Sequence, residues 1–279
     1  MSDTLAATGG GASAATVGTK AASAKRRRRS NLIERLSPLL LAFVILLAWQ
    51  LYVQIAGISP FVLPTPLAIA GRIVSDFPLL MANGYVTLLE VLGGFGLAVT
   101  VGIPTALAIF YWRPFESAIY PLLIALQTIP KVALAPLLVL YLGYGWAPKL
   151  TLAFLISFFP IVITTVIGLQ SLEKGLVHLV RSMGANEWQT FVKIRLPAAL
   201  PSVFGGFKVG ISLAVIGAVI GEYVAAERGL GYLQLQANAQ FDTTLNFATV
   251  VMISGIGVSL YLILNSLERA VSHRRESAR

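Results

Sequence analysis

Apolar residues in this chain gather into six blocks of about 20 residues, the length a helix needs to carry its backbone across the hydrocarbon layer of a bilayer. The blocks cover residues 38–56, 87–112, 118–142, 150–169, 203–220 and 247–267. Within lipid every backbone N–H and C=O must be paired inside the protein, so isolated blocks of this kind fold as helices. Composition agrees, since 56% of the 279 residues are hydrophobic and 12% are charged, outside the range of a soluble domain. The expected fold class is an all-α integral membrane protein of about six transmembrane helices.

Charge orients the blocks. Lys20, Lys25 to Arg29, Arg35, Arg113, Lys174, Arg181, Lys193, Arg195, Arg269, Arg274, Arg275 and Arg279 fall on one side, and only Arg72, Lys149 and Arg228 on the other. The positive-inside rule puts the richer side, and with it both termini, in the cytoplasm. Lys208, just inside the fifth block, would snorkel to that interface. The net charge of +9 follows from this asymmetry and is no evidence for an acidic ligand. Residues 1–35, dominated by Ala, Gly, Ser and Thr before the basic run, read as a disordered cytoplasmic tail. The basic run is a topology anchor in this setting; by itself it would also fit nucleic-acid binding. Residues 36–268 form the membrane domain and 269–279 a second basic tail. The first block is longer than the apolar region of a signal peptide and is expected to remain as a membrane helix.

The 170–200 segment carries the sharpest local pattern. Leu176, Leu179, Val180 and Met183 recur at helical spacing, Gly184 supplies a stop, and Asn186 with Gln189 three residues later forms a capping-box pattern. A second short helix through Phe191 and Ile194 should then end at Leu196-Pro197. Two short helices meeting at a glycine make a compact knob. Periodicity alone leaves open whether it rests on the membrane surface or is gripped by a partner.

The run from Gly184 and Ala185 through Ile194, Arg195, Leu196 and Pro197 resembles the cytoplasmic loop of ABC importer permeases, the binding-protein-dependent inner-membrane components. That loop reads Glu-Ala-Ala, three residues, Gly, nine residues, Ile, one residue, Leu-Pro. Here His178, Leu179 and Val180 stand at the Glu-Ala-Ala positions, as in the looser version of the branch importing nitrate, aliphatic sulfonates and taurine. Leu63-Pro64-Thr65-Pro66, the stretch from Ile129 to Leu137, Phe158-Phe159-Pro160-Ile161 and Gly229-Leu230-Gly231-Tyr232-Leu233 extend the resemblance over residues 60–268.

The resemblance implies a type I importer permease fold in the bacterial inner membrane, acting as a homodimer or paired permease. Two cytoplasmic ABC ATPases would dock on the loop through Arg181, Gly184, Ala185, Asn186, Phe191, Ile194, Leu196 and Pro197. An extracytoplasmic solute-binding protein would deliver a nitrate-, sulfonate- or taurine-like anion or a pyrimidine-like heterocycle. The chain itself would bind no cofactor, with ATP and Mg used by the ATPase. The residues agree: there is no Gly-x-x-x-x-Gly-Lys-Ser/Thr phosphate loop and no nucleophile–base pattern, so no catalytic residue is expected. No cysteine is present, and His178 and His273 do not cluster as a metal site would require. An ion-coupled secondary transporter is the alternative, but no self-similar halves are visible.

Polar residues within the spans are pathway candidates, because unpaired polar groups are costly in hydrocarbon. Glu90, Gln127 and Lys131 stand out, with Pro130 interrupting the third block beside Lys131. Lys131 would either meet an anionic substrate or pair with Glu90. Glu222, after Gly217 and Gly221, would contact the binding protein, gate the pathway, or sit as a solvated terminal carboxylate. Tyr111, Trp112 and Tyr120 read as interface anchors. Gly93, Gly94, Gly96, Gly206, Gly210, Gly217 and Gly221 read as helix-packing positions.

Overall fold

The computed structural model describes residues 37–276 apart from Leu39, so the expected 1–35 tail and its charge run lie outside the described residues. The chain divides into two compact units, one holding the described residues up to Ser59 with Thr65–Leu67, the other Pro60–Pro64 and Ala68 onward. In the first, helix α1 (Leu40–Ile55) is apolar and largely exposed, and the Gln50 side-chain oxygen accepts the Leu67 N–H at 3.1 Å. Helix α2 (Pro66–Ser75) begins in this unit and continues into the second.

The second unit is built on α3 (Phe77–Tyr111), α6 (Trp146–Gln170) and α9 (Leu196–Ala225). Helix α3 starts ten residues before the expected block, because Pro78 sits in its first turn, where a missing N–H costs nothing, and Asn83 returns its amide N–H to the Leu79 carbonyl. Between α3 and α6 the third block breaks as Pro130 predicts: α4 (Arg113–Gln127) is followed by a 3₁₀ turn (Lys131–Leu134) and α5 (Ala135–Leu142), with the two halves bent by 86°. After α6 come α7 (Lys174–Ser182) and α8 (Glu187–Thr190), and after α9 come α10 (Leu230–Ala239) and α11 (Thr243–Glu276). Helix α11 runs on through the basic 269–276 segment.

By length and composition α3, α6, the stretch from α8 through α9, and α11 can each cross a membrane, and the bent pair makes a fifth. Only 11% of the most apolar window of α11 is buried, so most of its surface is left to lipid or to a partner.

Helix α6 packs most extensively on α9 and next on α3. The approach is set by Ala153 of α6, which faces Gly94 of α3 and Gly217 of α9. A Cβ at Gly94 would stand 2.4 Å from that of Ala153, and one at Gly217 would stand 2.7 Å from its Cα. Dispersion contacts and backbone proximity hold helices together where water supplies no driving force, so the two glycines fix this spacing. Gly96, assigned to packing by spacing, has open space in front of it. Lys208, expected to snorkel, instead donates to Asn265 at 2.9 Å and pairs with Glu268, tying α9 to α11.

Candidate coupling element and buried polar network

Helix α7 ends in a Schellman motif. The Ala185 N–H donates to the Val180 carbonyl and the Gly184 N–H to the Arg181 carbonyl, with Gly184 at φ +86°. No atom would meet a Cβ at Gly184, so the demand for glycine there is a demand for left-handed backbone alone. The chain then restarts on Asn186, whose Oδ1 accepts the Gln189 N–H at 2.7 Å while Gln189 Oε1 accepts the Asn186 N–H at 3.1 Å. The capping box expected from sequence is complete. Arg181 and Glu187 form an ion pair across the glycine, both well exposed.

Leu196-Pro197 does not end this helix. Residues Phe191–Arg195 form a single π turn in which the Leu196 N–H reaches back to the Phe191 carbonyl, and α9 continues without interruption. The wider turn comes directly before Pro197, which falls in the first turn of α9. The expected stop is instead a joint through which the helix continues.

Aromatic contacts bind the joint to the end of α3. Phe191 lies 5.9 Å from Tyr111 and 6.1 Å from Trp188 between ring centroids, and the Arg195 guanidinium sits 4.9 Å from the Phe110 ring centre. Ile194 is half-buried within the same turn. On the outer side Leu179, Met183 and Trp188 leave an apolar face, with Met183 78% and Trp188 71% exposed. Val177 turns inward instead. Of the predicted anchors, Tyr111 and Trp112 are exposed at the end of α3, while Tyr120 packs on the cluster around Ile109 and Phe159.

At the other end of the molecule lies a buried polar network that the sequence did not outline. Glu90, Glu222 and Lys149 are 0%, 1% and 5% exposed. Glu90 pairs with Lys149 of α6, not with Lys131. Glu222 is no solvated terminal carboxylate: it accepts the Thr87 hydroxyl at 2.6 Å and the backbone N–H of Gly231. Thr87 in turn accepts the Leu230 N–H, and Asn83 the Gly229 N–H, each at 2.9 Å. The unpaired N–H groups at the start of α10 are thus met by three side chains from α3 and α9. A signal was present in Asn83, Thr87 and Glu90, which recur at i, i+4 and i+7 along an apolar helix. Lys149 carried none, since its place at the head of a block read as an outer flank.

Lys131 lies elsewhere, on the broken span. Its Nζ donates to the Gln127 carbonyl at 3.0 Å and sits 4.6 Å from the Phe159 ring centre. It lines an open cavity of about 480 Å³ with Gln127, Thr128, Ile156, Phe159 and Leu213.

The family model for the binding-protein-dependent transport system inner membrane component matches residues 98–277, more than half of the chain. The chain belongs to this family. It is 39% identical over 228 residues to the riboflavin transport system permease RibX of Chloroflexus aurantiacus, covering 81% of this chain and 85% of that protein. It is 35% identical to the formylaminopyrimidine transport permease ThiX of Halalkalibacterium halodurans, covering 84% and 94%. It is 31% identical to the putative aliphatic sulfonates transport permease SsuC of Bacillus subtilis, covering 86% and 87%. A chain of the inward-facing MetNI methionine ABC transporter shares the fold at TM-score 0.62 and 19% identity, over 71% of this chain and 98% of that one.

The protein is therefore the multi-pass permease subunit of an ABC importer in the bacterial inner membrane, and no enzyme; ATP hydrolysis belongs to a separate subunit. The secondary-transporter alternative falls with that assignment.

Proposed function

We propose that a pair of these permeases, as a homodimer or with a second permease chain, is driven by two cytoplasmic ATPases seated on the face formed by Leu179, Met183 and Trp188. The observation that carries this reading is the unbroken passage from α8 through the π turn into α9. A displacement of the knob is a displacement of a membrane span, with no slack loop between them. Arg181, Gly184, Ala185 and Asn186 keep the knob's shape, and Phe191, Ile194, Leu196 and Pro197 join it to the span. ATP and Mg are bound by the ATPase, and an extracytoplasmic solute-binding protein delivers the solute. ATP does work on the permease only if the ATPase grips its two conformations unequally.

The cavity at Lys131 and Phe159 is the proposed pathway site. An ammonium beside an aromatic ring at a helix break suits an anion or an electron-rich heterocycle. Relatives named for riboflavin, a formylaminopyrimidine and aliphatic sulfonates fall on both sides of that description. Glu90 and Glu222 act in this scheme by holding the span ends together. The test is to purify the chain with its ATPase and binding protein and measure ATP turnover in lipid with each candidate solute. Turnover that rises only with loaded binding protein supports the reading; turnover indifferent to it overturns the reading.

A further inference from the structure

A second cavity, of about 620 Å³, opens where α4, α6, α7 and the π turn come together, and it is basic. Arg113, Arg181, Arg195 and His178 line it, with Phe110 and Glu116. Arg181 is engaged by Glu187 and Glu116 accepts a hydrogen bond from Gln170 at 3.0 Å. Arg113 and Arg195 meet no carboxylate among the described residues, so two guanidinium groups are left with forked donors suited to the oxygens of a phosphate.

The same start of α4 borders an apolar hollow of about 380 Å³, lined by Trp112, Pro114, Phe115, Ala118 and Ile119. A cationic cavity and an apolar hollow therefore flank one short stretch of chain, beside exposed Tyr111 and Trp112, the residue types that settle at the level of lipid headgroups. A free anion would have no use for the hollow, and an acidic protein surface would have no chain to put in it.

We infer that this paired cavity holds one anionic phospholipid, with its phosphate between Arg113 and Arg195 and an acyl chain along Phe115 and Ala118. The inference takes from the proposed function only that the knob faces the cytoplasm, where basic pockets between membrane helices meet anionic headgroups. The lipid would sit against Phe110 and Arg195, on the joint that links α8 to α9.

The test uses the full chain purified with its ATPase, exchanged into nanodiscs of mixed phosphatidylglycerol and phosphatidylcholine, with retained lipid counted by native mass spectrometry. Phosphatidylglycerol should be retained in preference to phosphatidylcholine. Arg113→Gln should weaken that retention about tenfold, as loss of a charge-assisted hydrogen bond does, while Arg113→Lys, which keeps the charge without the fork, should lose less than Arg113→Gln and shows that the fold survives. Ala118→Trp, which fills the hollow without touching the charge, should weaken it as well.

Equal retention of both lipids overturns the inference. So does displacement of phosphatidylglycerol from the wild-type protein by millimolar inorganic phosphate, or indifference to Ala118→Trp, both of which would mark a free-anion site. Loss of the ATPase from Arg113→Gln with phosphatidylglycerol still bound would make an acidic face of the ATPase the occupant. Lipid retention is read without transport, so a failure of the ATPase-docking scheme would leave it intact.

Discussion

The Glu222 carboxylate accepts the backbone N–H of Gly231 across nine residues of chain, folding the start of α10 back onto the end of α9. The same carboxylate takes the Thr87 hydroxyl at 2.6 Å, so α3 is drawn into the same knot. Glu222→Ala should leave a buried N–H and a buried hydroxyl unmet and cost about 2–5 kcal/mol. Thermal unfolding of the purified protein and hydrogen exchange at the start of α10 check this, with the faster exchange confined to α10 and the Thr87 turn.

Gly229 is held twice over. Its φ is +123°, and a Cβ there would lie 2.3 Å from the Glu222 carboxyl. Gly229→Ala should therefore destabilise by more than the 1–3 kcal/mol of backbone strain alone. In a Glu222→Ala background, where the clashing group is gone, the added cost of Gly229→Ala should shrink toward the strain value, which a double-mutant cycle on melting temperature would reveal.

Lys149 is the ammonium that answers Glu90 inside the bundle. Lys149→Met alone leaves a buried carboxylate without its cation and should cost about 3–5 kcal/mol, whereas Lys149→Met with Glu90→Leu should recover most of it. If the double variant is no more stable than the single one, the pair has a role that apolar packing does not replace.

At Gly184 the requirement is handedness without crowding. Gly184→Asn, tolerant of left-handed backbone, should keep uptake coupled to ATP turnover, and Gly184→Val should break the coupling while both subunits still assemble. Uptake and ATP hydrolysis measured side by side in proteoliposomes decide it; normal uptake by the valine variant would remove the knob from the mechanism.

Lys131→Gln should lower solute-stimulated turnover at least tenfold while leaving melting temperature nearly unchanged, because among the described residues Lys131 donates a single hydrogen bond, to the Gln127 carbonyl. A loss of stability equal to the loss of turnover would make Lys131 a structural group.

Local chemistry was legible in the sequence wherever a few neighbouring residues dictate the backbone. Asn186 with Gln189, Gly184, and Pro130 at the broken span all behave as their side chains require. Leu196-Pro197 misled because a proline stops a helix only when the turn before it is of ordinary pitch, and the π turn widens it. The partners of Glu90 and Lys208 were out of reach for a different reason: they lie 59 and 60 residues away, and which polar groups meet inside a bundle depends on how the helices are rotated. That rotation is fixed by contacts such as Ala153 between two glycines, which no single segment contains.

From Glu187 to Ala225 the backbone runs 39 residues as one continuous helix, about 58 Å along its axis at helical rise. The apolar knob is at one end and the Glu222 knot at the other. A continuous helix that moves as one body shifts both of its ends together. A motor that turns one end would be felt at the opposite face of the bilayer without any signal passing through the residues between.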